Sequence, residues 1–307
     1  MIKKKIAICM LTYNHSTFII EALKSIKEQS FKNFDLFISD DSSTDNTYYK
    51  MKDFLKNNFS NYELYKQKKN IGVTNNCNFL LKKTRSKYKF LVFFSGDDLM
   101  CKDRLKLQIN FLQKNPNASF CYSNCYWLIN SDSFKFSHFH FFQNPPKNFK
   151  DLIEDFSIPL PTIMYNLKFM RNLMYEERFG YLSDIMMILN LWKKSKPVFL
   201  NLSLMFYRRH GASIMMSKNI VKDRKEIKKF ILQKYKKKYS KSIKYFDMLI
   251  YYSECIAKLQ EKKKISFIQY MKLMKMSLKS VKWSIRCLQL TFFYFKHKFT
   301  NFNTKIL

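Results

Sequence analysis

Two apolar runs in the first hundred residues each lead into adjacent aspartates. Leu36-Phe37-Ile38 precedes Asp40-Asp41-Ser42-Ser43-Thr44-Asp45, and Phe90-Leu91-Val92-Phe93-Phe94 precedes Ser95-Gly96-Asp97-Asp98. Short apolar runs bounded in this way read as buried parallel strands. In an open α/β sheet, ligands bind outside the carboxyl ends of the strands, where both acidic clusters fall. Carboxylates gathered there repel one another, so a fold keeps them for a partner: a divalent cation, the N–H and hydroxyl groups of a nucleotide, or both. The pattern points to a metal-dependent enzyme acting on a nucleotide-linked substrate.

The first 125 residues alternate between two periodicities. Strands are expected at Ile6–Leu11, Phe34–Ser39, Tyr62–Lys66, Phe90–Phe94 and Ser119–Tyr122. Between them, Ile19, Ala22, Leu23 and Ile26 take helical spacing after a Ser16 cap, and Leu105, Ile109 and Leu112 repeat it before the stop at Asn115-Pro116. Such alternation predicts an α/β fold with a mostly parallel open sheet flanked by helices, its strand ends brought to one edge by right-handed crossovers. From 126 to 215 the pattern is less regular, with an aromatic-rich stretch at 134–142 and a helix expected from Ser183-Asp184 to Lys194.

Composition bounds the rest. A hydrophobic content of 47% is ample for a core, and 4 Gly and 6 Pro exclude a fibrous or low-complexity chain. Of the formal charge of +33, residues after 220 carry 23 basic and 5 acidic side chains. That suits an anionic surface, although Lys-rich coding bias contributes to it. Seven scattered cysteines, among them Cys9, Cys121 and Cys287 in apolar runs, read as buried free thiols of a reducing compartment. Cys121 and Cys125 lack the second pair that a zinc site needs. The apolar run after Lys3-Lys4-Lys5 stops after six residues at Thr12-Tyr13-Asn14, which favours a first strand over a signal peptide. No stretch of eighteen apolar residues suggests a membrane span.

Four motifs in order carry a resemblance: Leu11-Thr12-Tyr13-Asn14, Asp40 to Asp45, Asn70-Ile71-Gly72 with Asn75 and Asn78, and Ser95-Gly96-Asp97-Asp98. Together they resemble the family 2 glycosyltransferases, inverting enzymes of the GT-A fold, over roughly residues 5–215. The resemblance implies a nucleotide-sugar donor, favours UDP, and implies a Mn²⁺ or Mg²⁺ cofactor. It puts Thr12, Tyr13, Asn14, Asp40, Asp41, Asn75 and Asp97 at the nucleotide, with Asp40 or Asp41 accepting from the imide N–H of a uracil. Asp97, supported by Asp98 and His210, would meet the metal, although Ser95 stands where the family usually has an Asp. Asp184 would be the catalytic base, held ionised at a helix N-terminus, with Ser183 where another acid is usual. Arg208 and Arg209 would clamp the diphosphate.

Each position also has a plainer reading. Asn14 can simply break a turn, Ser43 or Thr44 can cap the following helix, Asp97-Asp98 can be a solvated turn, and Asp184 or Ser183 can cap its own helix. A catalytic domain is expected over 1–220, its nucleotide half at 1–125 and its acceptor half at 126–220, with a basic helical extension over 221–307. Within the extension, Lys272, Lys275, Lys279, Lys282 and Arg286 cover about 80° of a helix, opposite Met274, Leu278, Val281, Ile285 and Leu288. That face can pack on the catalytic domain or lie on an anionic membrane. Sparse Arg and the lack of a reader motif argue against nucleic acid. The expected protein is cytoplasmic or peripheral on the inner face of the plasma membrane, with a glycan or lipid-linked acceptor. A sugar-nucleotide-binding scaffold without catalysis, or a basic membrane- or nucleic-acid-binding protein, are the rival readings.

Overall fold

The computed structural model describes residues 6–129, 134–137, 144–209, 221–235, 250–251 and 254–255. Its centre is a sheet of strands β1 (Ile6–Thr12), β2 (Phe34–Asp40), β3 (Tyr62–Lys66), β4 (Phe90–Ser95), β5 (Leu99–Met100), β6 (Phe120–Ile129), β7 (Phe134–Ser137), β8 (Met164–Asn166) and β9 (Val198–Arg209). They are ordered β3-β2-β1-β4-β8-β6-β9-β5, with β7 on β6. The expected strands all form. β1 pairs parallel with β2 and β4, and β2 with β3. Beyond β4 the sheet is mixed: β8 runs antiparallel to β4 and β6, while β6 and β9 are parallel.

Alternation along β1 shows why the sheet is covered on both faces. Ile6, Ile8 and Met10 pack with residues of helices α1 (Ile19–Lys27), α2 (Thr47–Asn58) and α4 (Arg104–Lys114). Ala7 and Cys9 pack on the other side with Leu80 and Leu81 of α3 (Gly72–Thr84), Leu152 and Ile153 of α5 (Phe149–Asp155), and Leu189 and Leu191 of α6 (Ser183–Lys194). Fully burying each such side chain contributes about 1.5–3 kcal/mol. A further helix over 221–235, α7, buries Ile227, Ile231 and Tyr235 in this second cluster. The opening part of the basic C-terminal region therefore shares the core of the sheet. The amphipathic helix expected over 272–286 lies outside the described residues.

Cys9, Cys77, Cys121, Cys125 and Cys255 are buried free thiols and Cys101 is partly exposed; Cys287 lies outside the described residues. No helix among the described residues is long and apolar enough to cross a membrane.

Two expected caps are not used. α1 begins at Ile19 behind Phe18, without a side-chain cap, and the Ser16 N–H donates to Asp45 Oδ2 at 3.1 Å. α2 begins at Thr47 behind Asn46, leaving Ser43 and Thr44 to other partners.

Candidate active site at the carboxyl edge of the sheet

Strand register sets the site. Thr12 lies opposite Asp40, and Leu11 lies opposite Ser95, so the two acidic clusters flank the end of β1. The loops leaving these strands are sewn together. Thr12 Oγ1 donates to Asp40 Oδ1 at 3.1 Å, and the Asp41 N–H donates to the Thr12 carbonyl at 2.8 Å. Asn14 N–H donates to Ser43 Oγ at 2.9 Å, while Asn14 Oδ1 accepts from the Thr44 N–H at 2.9 Å. The His15 N–H donates to Thr47 Oγ1 at 2.7 Å. Burial pushes the Asp45 carboxyl up, but bonds from Thr47 and Ser16 outweigh it and hold it down at about 2.

The backbone N–H groups of Asn14, His15 and Ser16 are thus spent on the second loop. Asn14 and Ser42 both have positive φ, at 55° and 62°. Among non-glycine residues such conformations persist only where surrounding contacts impose them, and they concentrate at functional sites. Asn14→Ala keeps the backbone bond to Ser43 but removes the Oδ1 acceptor of the Thr44 N–H and Oγ1, and is expected to lower stability by about 1–2 kcal/mol; denaturant titration checks it, and an unchanged midpoint contradicts the clamp.

Asp40 and Asp41, expected to offer a carboxylate to a base, are buried at 0% and 4% exposure and are bonded within the chain. Asp40 Oδ2 accepts from the Ser43 N–H at 2.9 Å, and Oδ1 from Ser43 Oγ at 2.6 Å. Asp41 accepts from the N–H groups of Ile71 and Gly72 at 2.8 and 2.9 Å, fixing the start of α3. Burial still raises the Asp41 carboxyl above its usual range, and Asp40 adds to the rise. The polar side chains left open on this side are Tyr13 and Asn14, both exposed, and Asn75, partly exposed with its amide donating to the Ile71 carbonyl at 3.1 Å.

The turn after β4 divides its two aspartates. Asp97 is partly exposed and accepts from Ser95 Oγ. Asp98 is wholly buried, and its Oδ1 accepts from the Arg208 N–H at 2.8 Å. Burial and the charge of Asp97 push Asp98 well above the carboxylate range, against the pull of Arg104 and Arg208. Asp98, expected to support the metal, is thus bonded inside the chain. Arg208, expected at the diphosphate, is 6% exposed. Its Nε donates to the Asp97 carbonyl at 2.8 Å, its Nη2 meets Glu21 Oε2 at 2.7 Å, and its guanidinium lies 4.7 Å from the Phe18 ring centroid. Through these contacts it holds the Asp97 turn. Gly96 must be glycine, since a Cβ there would come within 2.8 Å of His15 Nδ1 and 2.9 Å of Thr12 Cγ2. Arg209 ends β9, and its side chain, like His210, lies outside the described residues.

Asp184 reaches the same edge through α3. Thr74 Oγ1 lies 2.9 Å from the Gly180 carbonyl and 3.0 Å from Ser183 Oγ, joining α3 to the first residue of α6. Asn78 binds Tyr175 through both its amide and its carbonyl, at 2.9 and 2.8 Å. Leu182, not Ser183 or Asp184, is the N-cap, so Asp184 stands inside the first turn, where its Oδ1 accepts from its neighbour Ile185 at 2.7 Å. Burial pushes the Asp184 carboxyl up to about 7, and the backbone bonds from Ile185 and Asp184 offset only part of that. A carboxylate poised near neutrality is the right acid strength for a general base.

Among the described residues no three His, Cys, Asp or Glu side chains converge to hold an ion. The partly exposed Asp97 is still compatible with one. Magnesium-like cations are commonly held by one or two carboxylates and completed by substrate phosphates.

Comparison with known proteins agrees with this geometry. The family model described as Glycosyl transferase family 2 matches residues 7–179. The Escherichia coli UDP-Glc:alpha-D-GlcNAc-diphosphoundecaprenol beta-1,3-glucosyltransferase WfaP is 28% identical over 224 residues, 69% of this chain and 80% of its own. An uncharacterized glycosyltransferase of Rickettsia conorii is 28% identical over 191 residues, 62% of this chain but 30% of its own. The chain thus spans under a third of that relative, and 48% of the E. coli glucosyltransferase WfgD. Among solved structures, S. aureus TarS 1-349 in complex with UDP-GlcNAc superposes with a TM-score of 0.60 at 20% identity, covering 74% of this chain and 66% of that one. The mannosyltransferase PcManGT from Pyrobaculum calidifontis, in complex with GDP-Man and Mn2+, gives 0.60 at 11% identity, covering 95% and 87%. These likenesses show the GT-A fold.

Proposed function

We propose that this chain, which belongs to glycosyl transferase family 2, moves a sugar from a UDP-sugar to a hydroxyl of a glycan acceptor with inversion at the anomeric carbon. The observation that carries the reading is Asp184, raised to about 7 and tied through Thr74 to the sheet edge that also bears Asp97. Asp184 would take the proton of the acceptor hydroxyl. The oxygen so freed forms its bond to the anomeric carbon from the face opposite the nucleotide. The carbon–oxygen bond to the diphosphate breaks, and its electron pair leaves with the nucleoside diphosphate. Asp97 would hold a Mn²⁺ or Mg²⁺ ion shared with that diphosphate, which supplies neutralisation of its charge. The exposed Tyr13 ring offers the base a stacking face, with Asn14 and Asn75 beside it.

The activities for which WfaP and WfgD are named support a donor linked to UDP and an acceptor linked to a diphosphate lipid. The basic segment 272–286 would hold the enzyme at the anionic surface where such acceptors sit.

The test is the thermal midpoint with UDP or GDP, with and without Mn²⁺, on wild type and Asp97→Ala. A Mn²⁺-dependent rise with UDP, lost in the variant, is expected; at a hundredfold excess over Kd the stabilisation is about 2.7 kcal/mol. A rise retained in Asp97→Ala contradicts the assignment of that residue. The Ser95 substitution and the burial of Asp98 favour one second reading, a sugar-nucleotide-binding protein without catalysis. Donor binding with neither hydrolysis nor transfer across an acceptor panel would select it.

A further inference from the structure

We propose that Asp223, on the first turn of α7 in the C-terminal region, is a positioning residue that fixes the start of α6 and so aims Asp184. The proposal rests on the reading of Asp184 as the base. The short helical stretch Glu177–Leu182 is broken at Gly180, whose φ of 51° and ψ of −130° are non-helical. The peptide unit that follows is gripped from both ends. Its carbonyl, on Gly180, accepts from Thr74 Oγ1 of α3 at 2.9 Å, and its N–H, on Tyr181, donates to Asp223 Oδ2 at 2.9 Å. Asp184 follows three residues later, in the first turn of α6.

Two further observations single out the contact. Asp223 is 7% exposed, and a carboxylate is retained at such depth only against a partner. A Cβ on Gly180 would lie 2.5 Å from both Asp223 oxygens, so the site admits only glycine beside this carboxylate. The helix carrying Asp223 is held independently of it. Ile227 and Ile231 are buried in the core, Phe230 meets Phe179 edge-on at 5.7 Å, and Lys193 lies 4.1 Å from the Tyr235 ring centroid. α7 thus provides a fixed post from which Asp223 reaches back to the segment bearing the base. A side chain outside the region matched by the family model sets the geometry inside the site.

The experiment is hydrogen–deuterium exchange on the full-length chain, paired with turnover of UDP-glucose by hydrolysis. In Asp223→Ala, amides of 177–186 should exchange about tenfold faster while those of α2 are unchanged, because only local opening is made easier. The turnover number should fall about 10- to 100-fold, as expected for a displaced catalytic group, with KM within about twofold. Asp223→Asn, whose amide oxygen accepts the same N–H, should restore both. Unchanged exchange in a folded Asp223→Ala would overturn the proposal. Should that variant not fold, Gly180→Ala forces the same parting, and normal exchange there would overturn it equally. Fast exchange in Asp223→Ala combined with near-normal turnover in Asp184→Asn would overturn the aiming of a base and fault the base reading, leaving only the anchoring of α6.

Discussion

Asp184→Asn is expected to lose transfer about 10²- to 10⁴-fold, the usual contribution of a general base, while melting at a higher temperature than wild type. The two effects share one cause. Burial raises the folded-state carboxyl from 3.8 to about 7, so the native protein binds the proton more tightly than the unfolded chain. Stability from this group is fully present below about pH 4 and is lost as pH rises through about 7. The full excursion amounts to about 4 kcal/mol, an upper figure because the side chain keeps some solvent contact. Asparagine cannot ionise and escapes that loss. The gain in thermal midpoint should therefore be large at pH 8 and near zero at pH 4, and wild-type turnover should rise with pH through about 7. A variant that is inactive but no more stable at pH 8 would mean that Asp184 is not desolvated as described.

Arg104→Ala should be strongly destabilising, by about 3–5 kcal/mol, because it opens a buried cavity and leaves Gln108 Oε1 and the Pro161 carbonyl without their donor. Arg104 is entirely buried and binds in three directions: Nε to Gln108 at 3.1 Å, Nη1 to Met205 Sδ at 3.2 Å, and Nη2 to the Pro161 carbonyl at 2.8 Å. Burial lowers it to about 10, and the charge of Asp98 works against that fall. Without the guanidinium, Asp98 Oδ2, which has no hydrogen-bond partner, would sit in a cavity with its compensation removed. Asp98→Asn in the Arg104→Ala background should recover part of the loss, and Asp98→Asn alone should cost far less than Arg104→Ala. Additive effects in that double-mutant cycle would refute the coupling. The pair also supports the Asp97 turn, since Asp98 holds the same Arg208 whose Nε binds the Asp97 carbonyl.

β1, β2 and β4 were legible because they are largely buried and so appear as apolar runs, and the half-exposed edge strand Tyr62–Lys66 and the helix from Ser183 to Lys194 also fall where expected. β8 and β9 were not legible. β8 is three residues long, and β9 carries Asn201 and Ser203 within its run. The acidic motifs marked the right edge of the sheet, but sequence assigned their carboxylates outward. Asp40, Asp41 and Asp98 turn out to be buried, and Arg208 is spent on Glu21 and Asp97. Asp41, Asp98 and Arg208 were decided by partners 30 to 187 positions away, which no local pattern encodes, while Asp40 is held by Thr12 and by its near neighbour Ser43. Asp184 was found by its place at a helix start, whereas its raised acid strength depends on desolvation by distant elements. Asp223 carried no signal at all, since a lone Asp in a Lys-rich helix reads as solvated.

The most direct test is the configuration of the sugar released when water replaces the acceptor. UDP-α-glucose and UDP-α-N-acetylglucosamine would be incubated with Mn²⁺, and the first product followed by proton NMR before its anomers equilibrate. Release of the β-anomer by wild type, and its loss in Asp184→Asn, is the predicted result. Initial release of the α-anomer, or β-release that persists undiminished in Asp184→Asn, would contradict single-displacement transfer with Asp184 as the base.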